Sequence, residues 1–212
     1  MAAAAAAALV LLAGCQAMFT YTPLSGLQRP PSSLTPAQRL TYAQDALASG
    51  NTSDMKAAYD AIKNDTSSAA QYTTAQLGIQ LSGVPQVLIQ IATDPSTVTS
   101  QLNTVDQFIT DHNLQPSYII AAAGQLSAAA AAGAALTTMD YAMGAMGLLL
   151  AAALADSTAL GTPSYDILAG NSGKGAATTF LAPAVANVAS LPSSDQLNQF
   201  ITQLNSFITT KI

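Results

Sequence analysis

AAAGQLSAAAAAGAALTTMDYAMGAMGLLLAAALAD, residues 121–156, decides the fold class. Ala121 to Ala135 and Met139 to Ala155 hold most of the apolar mass of the 212-residue chain. Gly124, Gly133, Gly144 and Gly147 stand among alanines, which permits close helix–helix approach. The pattern predicts one helix from Pro116 to about Ala132, a break at Gly133, and a second helix from Ala134 to about Asp156. A membrane hairpin is the alternative to a buried one. Against it, Gln125, Ser127 and Asp140 interrupt the stretch, and Tyr141 to Ala155 falls short of the roughly 20 residues a spanning helix needs. Asp140 is then a solvated loop residue or a cap, and Met139, Met143 and Met146, on neighbouring turns, are core or the lining of an apolar groove.

Helical signals continue on both sides. Thr35-Pro36-Ala37-Gln38 reads as an N-cap, a Pro at the first helical position and a capping-box Gln, with Gly50 as the stop. Thr52 or Ser53 caps a second helix to Lys63, and a third covers Ser67 to Leu81. Pro85 opens a short segment to Ala92. Asp94-Pro95 opens a helix to about His112, with Val98, Leu102, Val105 and Ile109 on one stripe. Ala176 to Ser190, containing Pro183, and Ser193 to Thr210, with Ser193 and Gln196 as a capping box, complete the set. The one short strand candidate, Tyr165-Asp166-Ile167-Leu168, reads better as a turn. The expectation is an all-α domain over 35–212, with antiparallel helix pairs forming an irregular bundle or short solenoid around the Ala-rich hairpin.

The last helix carries two adjacent heptads, Gln196-Leu197-Asn198-Gln199-Phe200-Ile201-Thr202 and Gln203-Leu204-Asn205-Ser206-Phe207-Ile208-Thr209. They place Leu197, Phe200, Ile201, Leu204, Phe207 and Ile208 on one face. Two heptads are too few for an extended coiled coil, so the face packs on the body or docks a partner. Gln101-Leu102-Asn103 and Gln107-Phe108-Ile109-Thr110 repeat the phrase earlier in the chain. Tyr42, Ala43, Ala46, Met55, Tyr59 and Ile62 weakly resemble a single tetratricopeptide unit, without its signature Trp and Pro.

At the N-terminus an apolar run, Ala2 to Gly14, closes with Leu12-Ala13-Gly14-Cys15. This resembles the lipobox of bacterial lipoproteins: an aliphatic residue, two small residues, then the cysteine whose thiolate takes a diacylglyceryl group. The resemblance implies that residues 1–14 are a signal peptide cut between Gly14 and Cys15, and that Cys15 becomes the lipidated N-terminus. The n-region departs from the usual pattern in having no Lys or Arg. Gln16, a residue other than Asp, implies the periplasmic face of the outer membrane. Residues 15–34, with Pro23, Pro30 and Pro31, read as a tether of ~25 Å mean span, either mobile or partly docked.

Composition limits the chemistry. Charged residues make up 8% of the chain, against ~25% in ordinary soluble domains. There is no Glu, one His and one Cys, so an internal disulfide is impossible. A net charge of −5 with six dispersed basic residues disfavours nucleic acid. Gly170-Asn171-Ser172-Gly173-Lys174-Gly175 fails the spacing of a phosphate-binding loop. Asp106, Asp111 and His112 could be imagined as metal ligands, or His112 and nearby Asp residues as the centre of an enzyme, the weakest of three readings, but Asp111 and His112 point about 100° apart on a helix and no second His exists. No catalytic residue, metal or cofactor is therefore expected. The leading expectation is a non-enzymatic, membrane-anchored scaffold or protein-binding module of the envelope, with an envelope protein or a second copy as partner. The alternative is a carrier of lipid or another apolar ligand in a cavity lined by Met139, Met143 and Met146.

Overall fold

Helix starts explain most of the architecture. In a computed structural model that describes residues 30–87, 105–166, 170–192 and 195–210, helix makes up 78% of the described residues, and no strand occurs among them. The chain divides into two units, Met1–Leu34 and Thr35–Ile212. The described part of the first is a 3-10 turn, Pro31–Ser33, in which the Ser33 amide and hydroxyl both donate to the Pro30 carbonyl.

In the second unit α1 spans Pro36–Ser49 and begins with the predicted capping box. The Thr35 hydroxyl accepts from the Gln38 amide, and the Gln38 side chain accepts from the Thr35 amide. Gly50, at φ 67°, ends it in the left-handed conformation that glycine adopts without penalty. The second helix, α2 (Thr52–Ile62), is capped one residue earlier than the sequence reading placed it. Asn51 Oδ1 accepts from the amides of Ser53 and Asp54, and this leaves Thr52 inside the helix. Ser67 caps α3 (Ser68–Leu81) through the Ala70 amide.

The described part of the segment opened by Pro85 is helical over 84–87. Its continuation, the Asp94-Pro95 start, Val98 and Leu102 lie outside the described residues. The helix predicted to end at His112 is seen as α4, Val105–Asp111, with Val105 and Ile109 only half-buried. Pro116 opens α5 (Pro116–Ala131). The next helix, α6 (Thr138–Ala159), starts four residues later than Ala134. Thr137 and Asp140 form a capping box, and its hydrogen bonds outweigh the helix propensity of Ala134 and Ala135. α7 is Lys174–Val188 and runs through Pro183. α8 is Gln196–Thr210. Its amides at Leu197 and Asn198 donate to Asp195 Oδ1, so Asp195 is the cap; Ser193 lies outside the described residues.

Apart from α4, the described helices pack in chain order. α1, α2 and α3 contact one another, α3 packs on α5, and the series continues α5–α6, α6–α7, α7–α8. Three clusters of buried side chains follow the same order. Ala43, Met55, Ile62 and Leu77 join α1 to α3; Ile79, Ile119, Leu126 and Met143 join α3, α5 and α6; Leu149, Leu181, Val188, Ile201 and Ile208 join α6 to α8. Among the described residues α6 is the helix long and apolar enough to cross a membrane. Here it lies between α5 and α7, with 44% of its most apolar window buried.

Candidate functional site

The apolar face of α8 is divided by its packing. Ile201 and Ile208 are fully buried against Ala177, Leu181 and Ala184 of α7. Leu197, Phe200 and Leu204 are half-buried against the same cluster, and Phe200 also reaches the cluster of α3, α5 and α6. Phe207 is 41% exposed. No charged residue occurs between Gln196 and Thr210, and Gln199, Thr202, Gln203 and Ser206 are exposed neutral polar residues of the same helix. Of the six residues singled out, five therefore support the body, and Phe207 is left at the surface.

The three methionines part company in the same way. Met143 is 1% exposed in the core, Met146 packs half-buried beside it, and Met139 is 40% exposed at the start of α6. Gly14 and Cys15 lie outside the described residues.

Asp106, Asp111 and His112 are not brought together as a site, and no group of three potential metal ligands occurs among the described residues. Asp111 is exposed. The His112 ring meets Phe108 edge-on at 4.5 Å between centroids, with Nε2 buried away from any partner among the described residues. Asp106 is turned towards a different segment. Its Oδ1 accepts from the Tyr165 amide at 2.9 Å, and its Oδ2 accepts from the Ser164 hydroxyl. Burial, and then the charge of Asp106, raise the Tyr165 phenol above its ordinary pKa.

Gly170 and Gly173 have a packing reason, whereas a Cβ on Gly175 would meet nothing within 4 Å. A Cβ on Gly170 would sit 2.2 Å from the Leu149 carbonyl oxygen, and one on Gly173 would sit 2.4 Å from the Ala152 Cβ. The loop presses its backbone onto α6, and the Ser172 amide donates to Asp156 Oδ2. Beside it, Asp156, Ala159, Leu160, Asn171 and Ser172 line an open depression.

Two polar constellations escape a reading by sequence. Asp140, 6% exposed, accepts from the Tyr72 hydroxyl as well as from its own cap. Asp166 Oδ1 accepts from the amides of Val105 and Asp106. Their partners lie 68 and about 60 residues away, so no local spacing could announce either. The Thr137-Thr138-Met139-Asp140 box was the one signal available. No family model, curated protein or solved structure matches this chain.

Proposed function

We propose that the chain is a non-enzymatic, lipid-anchored helical module of a bacterial envelope that presents the outer side of α8 to an envelope protein or to a second copy of itself. The anchoring half of this reading is supported by the order Leu12-Ala13-Gly14-Cys15 after an apolar run. The docking half is carried by one observation: a phenylalanine left 41% exposed on an uncharged helix that ends the packing series. An exposed aromatic residue on an uncharged helix suits association by apolar complementarity, and the low charge of the chain offers little electrostatic steering. The dispersal of Met139, Met143 and Met146 between surface and core weighs against a carrier built on them.

Crosslinking in whole cells, followed by mass spectrometry, tests the proposal. The parent chain is expected to capture an envelope protein or a second copy through α8, and Phe207→Ala is expected to lose that product while its melting temperature stays within a degree or two of the parent's. Phe200→Ala is the contrasting variant, because truncating a Phe packed on two clusters costs ~3 kcal/mol or more. Equal capture by the parent and Phe207→Ala removes α8 as the docking face.

A further inference from the structure

One end of the 35–212 unit gathers the starts of α1, α3, α6 and α8 and the ends of α2, α5 and α7. Only Gly50 and Asn51 separate α1 from α2, so the two packed helices run in opposite directions. Asp65, just before α3, is held below the ordinary carboxyl range by hydrogen bonds from Ser67 first and by the charge of Arg39 last. Arg39 is in the first turn of α1, so the starts of α1 and α3 are side by side. The Gln125 side chain, in the later half of α5, donates to the Lys63 carbonyl just after α2, and the Tyr72 hydroxyl of α3 donates to Asp140 of α6. Asn187, near the end of α7, donates to the Thr138 hydroxyl at the start of α6, and Asn198 of α8 donates to the Leu191 carbonyl just beyond α7. The opposite end, roughly 30 Å away along α6 at 1.5 Å per residue, holds Leu160. It also holds the end of α8 with Phe207, because Lys174 Nζ at the start of α7 donates to the Thr209 carbonyl.

At the first of these ends, the side built from α5 to α8 exposes apolar groups. Met139 is 40% and Leu191 37% exposed. Ala132 and Ala135 in the α5–α6 connection, and Ala189 and Pro192 in the α7–α8 connection, are exposed as well. Charge is nearly absent from these segments. Between His112 and Asp156 the one charged residue is Asp140, which is buried. Between Lys174 and Lys211 it is Asp195, whose Oδ1 is taken up by the amides of Leu197 and Asn198. The chain enters the unit at this same end, where Thr35 caps α1. A chain as long as residues 15–34 spans ~25 Å on average, less than the length of α6. A lipid on Cys15 therefore brings a bilayer nearer to Met139 and Leu191 than to Leu160 and Phe207. An uncharged apolar surface without a Lys or Arg cluster suits the neutral boundary between headgroups and acyl chains, not a layer of anionic headgroups.

We propose that the end bearing Met139 and Leu191 seats on the neutral surface of a lipid bilayer and holds the Phe207 end of α8 away from it. The inference rests on the reading of Cys15 as the anchor. Two partly exposed side chains orient an anchored body and are too few to hold a free one. The test uses the full chain on phosphatidylcholine vesicles that carry a diazirine on an acyl chain, with the photocrosslinked peptides identified by mass spectrometry. The chain is used as isolated from bacterial membranes where its intact mass shows the acyl increment, and is otherwise coupled through the Cys15 thiol to a maleimide lipid. A mass without the increment overturns the anchor reading, whereas the crosslinks decide the seating. Peptides covering 131–139 and 189–192 are expected to carry at least about fivefold more lipid than those covering 157–163. Met139→Asp/Leu191→Asp, at two exposed positions that leave the fold intact, is expected to cut that excess at least about threefold, because a carboxylate resists leaving water. Even labelling of the two ends in the parent, the result if a protein partner covers Met139 and Leu191 instead, overturns the seating, as does an excess at 157–163. This comparison stands even if the double variant does not fold. An excess that survives both substitutions in a folded variant overturns the assignment to Met139 and Leu191.

Discussion

Asp140 Oδ2 accepts three hydrogen bonds, from the Thr137 amide at 2.8 Å, the Thr137 hydroxyl at 2.8 Å and the Tyr72 hydroxyl at 2.9 Å. One oxygen thus caps α6 and ties it to α3, and its negative charge sits at the helix end that favours it. Removing it takes away the acceptor of the Tyr72 hydroxyl and opens the cap, so Asp140→Ala is expected to lower the unfolding free energy by ~2–3 kcal/mol in urea titrations. The same contact sets a pH dependence. Burial, then the hydrogen bond to Asp140 and its charge, push the Tyr72 phenol up to about 12, with a hydrogen bond from Gln76 opposing. A raised phenol keeps its proton in the folded chain while the unfolded chain has already lost it. Its contribution is therefore complete below about pH 10 and declines as pH rises towards 12. In an ultraviolet titration Tyr72 is expected to ionise late in the parent and earlier in Asp140→Ala; identical curves would remove the carboxylate from the explanation.

At the scale of elements, the crossing of α5 and α6 depends on Gly147. A Cβ there would lie 2.4 Å from the Ile119 carbonyl oxygen and 2.7 Å from the Ala123 Cβ, and a backbone oxygen cannot yield unless α5 moves. Gly124, on the same helix pair, would meet nothing within 4 Å. Thermal melts should separate the two: Gly147→Ala destabilises by ~1–3 kcal/mol, while Gly124→Ala stabilises by up to ~1 kcal/mol through helix propensity. The sequence presents these glycines as equivalents, since each stands among alanines, and only the crossing point distinguishes them. Helix starts are legible to the extent that their donors and acceptors are local. Thr35, Pro36 and Gln38 lie within four residues and are read correctly, whereas Ala134 and Ala135 draw the start of α6 too early because propensity carries no record of the Thr137–Asp140 box. The α8 stripe is legible as an apolar face. That Ile201 is buried and Phe207 exposed depends on where α7 lies, and heptad spacing does not contain that.

Across the whole molecule, the packing among the described helices sets α8 against α7, and Phe207 on it is left 41% exposed. Electrostatics contribute little to holding the series together. Among the described residues the ion pair Lys63–Asp60 is exposed, where solvent screens the attraction. The body therefore relies on close packing of Ala, Leu and Ile, and a surface so poor in charge gives little attraction to anionic headgroups. Membrane association, on the proposed reading, must come from lipid at Cys15. One acyl chain binds only marginally, while the several chains of a mature lipoprotein bind stably. Cys15→Ser, expressed in a bacterial host, is thus expected to leave the membrane fraction on a salt wash, or to persist as a precursor with residues 1–14 attached. Its intact mass should lack the lipid increment found in the parent. A variant that sediments with membranes as the parent does, at a mass differing only by the substituted atom, would show that the apolar leader and Cys15 do not anchor the chain.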